Sequence, residues 1–388
     1  MAVEWYIEPT VSAGVEHHDN VLLTTQPHDP ISGTTATARV NLGVRSTTWD
    51  VHANIGAKSS WFDEEAFDRD EYQIRLFSQF RAPRSHWQLD GSRLQESLLT
   101  SEEVDPDTGL PRFQRTRWTE TVGPGWIYSM SATTQLQFRL NAAHVTYEEG
   151  GPVILNDYGS ESASVVFSKQ WSPRTTFSFT VAASQYDVPD NEFESRTRSA
   201  YAGMTHRLTP VFRTGLSIGG WRNNSRGVGC AEYHTIDFDG QTVLVCVTGL
   251  VDASESGVFF QADAERQFKR SRLSGKLSRD VRPSGSGTEV EFDQASLFYE
   301  HQLLASRLWA ILGVDASRTS SLSGDPAGVD RDYYQIAPRL RYRVNRDLDL
   351  EASYRRARQM YERLGDAATN DSVYLTLTYR PPRMTRSR

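Results

Sequence analysis

The sequence predicts an all-β fold: a transmembrane, antiparallel, up-and-down β-barrel of about 18 strands. Three observations predict it. Apolar and polar residues alternate with a period of two along most of the chain. The connections between the alternating runs are short and long in turn. Trp and Tyr gather where the runs end.

The alternation shows in four segments. Between Tyr334 and Val344, one face carries Tyr334, Ile336, Leu340, Tyr342 and Val344, and the other Gln335, Arg339, Arg341 and Arg343. From Gln135 to Asn141, Leu136, Phe138 and Leu140 oppose Gln135, Gln137, Arg139 and Asn141. Val51, Ala53, Ile55 and Ala57 oppose Asp50, His52, Asn54 and Lys58, and Val373 to Tyr379 repeats the pattern. Each run comes out at ~10–16 residues, enough to cross an apolar band at a barrel's tilt, whereas strands of soluble sandwiches run nearer ~5–6.

Short connections are read at 46–49, 82–85, 130–133, 172–174, 208–211, 269–270, 305–307 and 345–347. Long ones are read at 22–33, 63–70, 100–114, 148–156, 188–194, 223–252, 282–287, 319–332 and 360–370. Tight turns at one end and long loops at the other are the signature of an outer-membrane barrel. Trp5, Tyr6, Trp61, Trp87, Trp118, Trp126, Tyr128, Trp171 and Trp221 fall at run ends, where an amphipathic ring suits the bilayer interface.

Composition narrows the class further. With 388 residues and a mean hydropathy of −0.54, length alone would suggest two or three soluble domains. No run of about 18 uncharged apolar residues occurs, which excludes a helical membrane protein but not a barrel. No blade-length repeat supports a propeller, and no Pro- or Gly-rich linker divides the chain. One domain, 1–388, is therefore expected, with 380–388 as a flexible periplasmic tail. The opening Met1-Ala-Val-Glu-Trp5 has no apolar secretory run; a cytoplasmic protein and a mature exported one both fit, and the barrel pattern favours the second.

The net charge is −7, yet of 42 cationic residues only Lys58, Lys169, Lys269 and Lys276 are Lys. Acids crowd the expected outer loops, among them Asp63, Glu64, Glu65, Asp68, Asp70, Glu102, Glu103, Asp105 and Asp107. Alternation assigns Arg39, Arg75, Arg139, Arg196, Arg198, Arg272, Arg339, Arg341, Arg343 and Arg355 to the lumen. Arg is always charged and can grip a carboxylate through two hydrogen bonds, so such a wall suits an anion path. The competing reading is structural: the same arginines paired with Asp349, Glu351 and other inward acids.

Cys230 and Cys246 share one polar stretch and read as a disulfide, which needs an oxidising compartment; the alternative is two unrelated thiols. A cross-linked 223–252 loop would be a gate or plug. No cofactor is called for. His17 and His18 point to opposite faces of a strand, so a solvated strand end is expected there rather than a metal site. His144 and His206 lack nearby partners. No Gly-x-Ser-x-Gly, Walker or His-Glu-x-x-His motif occurs, and a non-enzyme is expected. A pI near 5.8 without a contiguous basic patch argues against nucleic acid.

The opening carries one further signal: Trp5, Pro9, the alternating Val11 to Val15, Asp19-Asn20, and then Val21 to Thr24. This pattern resembles the first strand of outer-membrane β-barrels encoded in exopolysaccharide gene clusters, the exosortase-associated barrel porin type. The resemblance covers about twenty residues. It departs from many outer-membrane barrels at the other end, where Tyr379 is followed by nine residues rather than closing the chain. It implies export of an exopolysaccharide, with outer-membrane lipid around the barrel and periplasmic export and synthesis proteins as partners. The expectation is thus an export channel for an anionic polysaccharide; the alternative is a general or anion-selective porin for small solutes.

Overall fold

The computed structural model describes residues 3–100, 114–150, 155–238, 241–284, 289–304, 307–322, 330–361 and 367–387; the side chains of 191, 228–249, 361 and 387 are outside the description. Eighteen long strands run in chain order: β1 Glu4–His18, β2 Ile31–Arg45, β3 Trp49–Phe62, β4 Arg69–Arg81, β5 Ser85–Ser97, β6 Thr116–Ser131, β7 Thr134–Tyr147, β8 Tyr158–Ser172, β9 Thr175–Val188, β10 Phe193–Thr209, β11 Phe212–Phe238, β12 Gln241–Gln267, β13 Ser271–Pro283, β14 Glu289–Leu304, β15 Leu308–Ser321, β16 Arg331–Arg343, β17 Leu348–Tyr361 and β18 Ala367–Tyr379. A short β19, Met384–Ser387, follows. Every strand pairs antiparallel with the next, and β1 closes the cylinder on β18 from Val11↔Tyr379 to His18↔Ser372.

Closure satisfies the backbone in lipid, because a barrel has no open edge. Side-chain alternation then divides the wall. Trp5, Ile7, Val11 and Val15 lie on the outer face of β1, each 41–54% exposed, although all are apolar. Leu340, Tyr342, Leu375 and Leu377 continue this face on β16 and β18. Such a surface is stable only against hydrocarbon. At the short-turn end it finishes in aromatics: Trp87 stacks on Trp126 and Trp126 on Phe138, both with ring centroids 5.4 Å apart, and Trp171 is 77% exposed.

Three expectations are corrected. The stretch 223–252 is not a loop. β11 and β12 run 27 residues each, in register from Phe212↔Arg266 to Phe238↔Gln241, with one irregularity near Cys230. Its Val, Thr, Ile and Tyr content supports strand pairing, which prevails over its polarity. The side chains of Cys230 and Cys246 lie outside the description; the backbone sets Cys230 opposite Thr248 and Cys246 opposite Tyr233.

Of the segment expected as a flexible tail, the described residues 380–387 are not free. β1 extends below the point where β18 stops, and β19 covers that edge from Glu4↔Ser387 to Ile7↔Met384. Arg383 clamps the junction, 3.1 Å from Glu4 and 3.2 Å from Glu8, with its guanidinium over the Tyr6 ring.

Trp221 does not belong to the outer girdle. It faces inward, 6% exposed, and lies across Gly257 on β12, where any Cβ would fall 2.5 Å from the indole.

Candidate solute path through the barrel

The inner wall follows from register. Arg39 stands opposite Gly56 and Gly56 opposite Gln73, while Asn54 stands opposite Arg75; all belong to the face turned away from Val40, Ile55 and Ile74. The same bookkeeping puts Arg139, Arg272, Arg339, Arg341, Arg343 and Arg355 inside. It puts Arg196 and Arg198 outside. Ser195, Thr197 and Ser199 alternate with them and hold the inner face, whereas Arg198 shares its face with Ala183, Ala200 and Met204. Assigning these two to the lumen is thereby corrected.

The inward arginines divide by partner. Arg139 lies 3.0 Å from Asp90, Arg272 2.9 Å from Glu265, Arg341 2.9 Å from Glu351 and Arg343 3.5 Å from Asp349. Arg355 sits over the Tyr374 ring. The densest ladder, Arg341–Arg343, is therefore a paired network rather than free charge. Arg339 stands opposite Ser353, and its Nε is buried with no hydrogen-bond partner.

Arg39 and Arg75 differ. Among the described residues neither side chain has an ion-pair or hydrogen-bond partner, and both are exposed to the lumen. They border a hollow of about 140 Å³ lined also by Lys58, Glu71, Gln73, Glu96 and Thr100. Its acids are already engaged: Glu71 lies 3.5 Å from Lys58 and Glu96 2.6 Å from Arg117. Two positive charges remain. Gly56 lets them share this space, since a Cβ there would press within 3.0–3.1 Å of Arg39 and Gln73.

Long loops reach this region from above. Residues 98–100 form a helical turn after β5. Leu98 joins Val145, Tyr147, Tyr158 and Tyr186 of the β7–β9 wall, while Leu99 joins Val21, Ile31, Phe62 and Phe67 near β2 and β3. Both leucines are 0% exposed, so two adjacent side chains tie two parts of the wall together through the lumen. The β1–β2 loop also turns inward: Leu23 packs on Tyr333, Ala357 and Ala368. Leu23 sits at φ 53°, an uncommon left-handed conformation, and Asn20 secures it. The Asn20 amide donates to the carbonyls of Thr24 at 2.8 Å and Thr369 at 3.0 Å.

A third intrusion comes from β13–β14. The β12–β13 ladder stops at Phe260↔Arg279, and Ser284 and Glu289 at the loop side of these strands reach β9–β11. Tyr186 Oη donates to the Ser284 carbonyl at 2.6 Å, and the Glu289 carboxylate accepts from Ser195, Thr197 and Asn223.

Sequence reasoning missed these contacts. Its available signal was Val21-Leu-Leu23 and Leu98-Leu99, apolar clusters inside polar outer loops that must find burial. His18 was also misjudged as solvated. It is 0% exposed, 3.6 Å from Glu16, with Nδ1 3.1 Å from Ser372 Oγ; Arg69 reaches the same Glu16 at 3.2 Å. His17 faces the other way, 2.9 Å from Ser32.

No family model and no curated protein matches the chain. Solved structures do. The outer membrane protein opdK of Pseudomonas aeruginosa has a TM-score of 0.50 at 11% identity over 98% of this chain and 99% of its own. OpdO of the same organism gives 0.50 at 11%, and OccK2 (OpdF) 0.50 at 10%, each over 97% of both chains. The shared feature is the fold, an 18-strand outer-membrane barrel. The bacterial outer membrane is the setting that its apolar outer band and aromatic girdle require.

Proposed function

We propose that the barrel is a passive channel for small anionic solutes, and that Arg39 and Arg75 form its selective element. The supporting observation is the hollow below Thr100, where two arginines without protein partners face the lumen while the acids beside them are neutralised. Fixed cations lining a narrow aqueous path lower the barrier for anions and raise it for cations. The mechanism needs no moving part or energy source. The alternating-face architecture of 1–388, read as one domain, supplies the wall, and the inward loops narrow it.

Polysaccharide export has less support. The loop part of the motif behind it, Asp19 to Thr24, uses Asn20 and Leu23 to hold a loop inside the lumen, which narrows a polymer's route.

Purified barrel in a planar bilayer with a KCl gradient tests the proposal. An anion-selective reversal potential is expected, moving close to zero in R39Q/R75Q. A wild type without anion preference, or a double variant identical to it, overturns the assignment. Block of the current by micromolar acidic oligosaccharide, with no block by small organic anions, would favour the polymer path instead.

A further inference from the structure

The outer face carries arginines too, in a row where the apolar band ends toward the long loops. Most stand directly across from an acid on the next strand. Arg93 faces Glu120 at 3.3 Å, Arg279 faces Asp293 at 2.6 Å, Arg318 faces Asp332 at 3.9 Å and Arg356 faces Asp371 at 3.9 Å. Arg358 stands across from Tyr334 and Thr369 instead, and at one place the departure goes further. On β10 and β11, Arg198 stands directly across from Arg222. Like charges directly opposite are destabilising in an antiparallel pair.

Neighbouring groups do not cancel this pair. Arg222 reaches only the Ser254 hydroxyl, at 3.3 Å, and Arg198 has no partner among the described residues. Glu194 is engaged by Arg196 at 2.6 Å, and Asp252 lies 3.9 Å from Arg226. Two more acids lie on this part of the face: Gln185 separates Glu161 from Arg196 in the cross-strand row, and Asp187 stands across from Glu194.

A furrow in the lipid-facing wall begins beside Arg198. Its lining includes Val122, Leu140, Ala142, Ala163 and Ala183, and it ends at Arg196 and Arg198; its volume is about 530 Å³. The alanines form a low floor between bulkier neighbours, with Leu140 55% and Val122 47% exposed. The furrow crosses the strands over an apolar floor and reaches Arg196 and Arg198 at its β10 end, with Glu161 and Gln185 also in its lining.

We propose that this face binds a lipid with a phosphate-monoester headgroup, its acyl chain in the Ala142–Ala163–Ala183 furrow and its phosphate between Arg198 and Arg222. The chemistry matches at both ends. A phosphate monoester carries close to two negative charges at neutral pH and several acceptor oxygens, and guanidinium groups bind it in a bidentate manner. Its arrival turns a repulsive cross-strand pair into a bridged one. The acyl chain replaces loosely packed solvent lipid in a furrow of matching polarity. The long-loop end places this site in the outer leaflet.

The test uses the full-length barrel in a neutral detergent, titrated with dioleoyl phosphatidic acid and followed by native mass spectrometry. One phosphatidic acid should remain bound under conditions that strip dioleoyl phosphatidylcholine. R198Q/R222Q should weaken retention on the order of tenfold, while R356Q, which alters an arginine already facing an acid, should leave it unchanged. The double variant should still give the heat-modifiable gel shift of a folded barrel, since it removes a repulsion. Equal retention in wild type and double variant overturns the proposal. So does displacement of the lipid by millimolar inorganic phosphate alone, which would mark an ion site without the furrow. A163F on the furrow floor separates the two contributions: retention should fall while inorganic phosphate binding stays the same.

Discussion

Compare the inner wall of β2–β4 with the outer face of β10–β11. Each carries two arginines without a carboxylate: Arg39 and Arg75 inside, Arg198 and Arg222 outside. Inside, the two are set apart across Gly56 and face water, so their repulsion is screened and their charge acts on what passes. Outside, they stand directly opposite at the edge of hydrocarbon, where their repulsion is less screened and calls for a counter-charge. Much of the remaining wall answers arginine with an acid, as at Arg341–Glu351 inside and Arg356–Asp371 outside, or covers it with an aromatic ring, as Tyr374 covers Arg355. The abundance of arginine is therefore mostly structural. Function is expected at the exceptions.

The strongest way to break this comparison is to reverse the inner exception. R39E/R75E should convert anion preference into cation preference, a change in permeability ratio of about tenfold or more. Retained anion selectivity would mean that the paired arginines set the field after all. R198E is the outer counterpart. It creates the carboxylate that Arg222 lacks and should leave selectivity unchanged while raising the barrel's unfolding temperature in detergent.

A second perturbation tests whether the narrowing comes from the loops. L98A/L99A removes two fully buried side chains, each truncation worth roughly 2–5 kcal/mol in a packed core. That loss falls on the helical turn rather than on the ladders, so the barrel should still fold. Single-channel conductance should rise by about twofold, with larger current noise as the turn leaves its seat. An unchanged conductance would place the constriction elsewhere.

The same comparison explains what could be read from the chain beforehand. The strands and the alternation of short and long connections were legible because both are local: apolar contrast fixes each strand, and Gly, Pro, Ser and Asp mark each turn. Arg196 and Arg198 were assigned to the wrong face for a physical reason. At the rim both faces of β10 are polar, Glu194, Arg196 and Arg198 on one and Ser195, Thr197 and Ser199 on the other, so the contrast vanishes. Only the phase carried up from Ala200, Ala202 and Met204 resolves it. The 223–252 stretch was misread because polarity was weighed above β-propensity. The inward loops could be suspected from Val21 to Leu23 and from Leu98-Leu99, but their partners, such as Tyr333 and Tyr186, lie far away in sequence. Glu289 meeting Asn223 is of the same kind: nothing local announces it.

The smallest effects should come from the ladder that looked most important in the sequence. Arg341 lies 2.9 Å from Glu351 through Nε, and the two stand directly opposite on β16 and β17. R341Q removes one positive charge but also frees one negative charge, so the field in the lumen shifts by one unit and is screened by the electrolyte within about 10 Å at 0.1 M salt. E351Q does the reverse. It leaves Arg341 without its acid and should increase anion preference slightly, whereas R341Q should decrease it by a similar amount, each by less than about twofold. The double variant R341Q/E351Q should restore the wild-type reversal potential, because the removed charges cancel. If R341Q alone abolishes selectivity as fully as R39Q/R75Q, pairing does not silence an arginine in this lumen, and the distinction between matched and unmatched arginines fails.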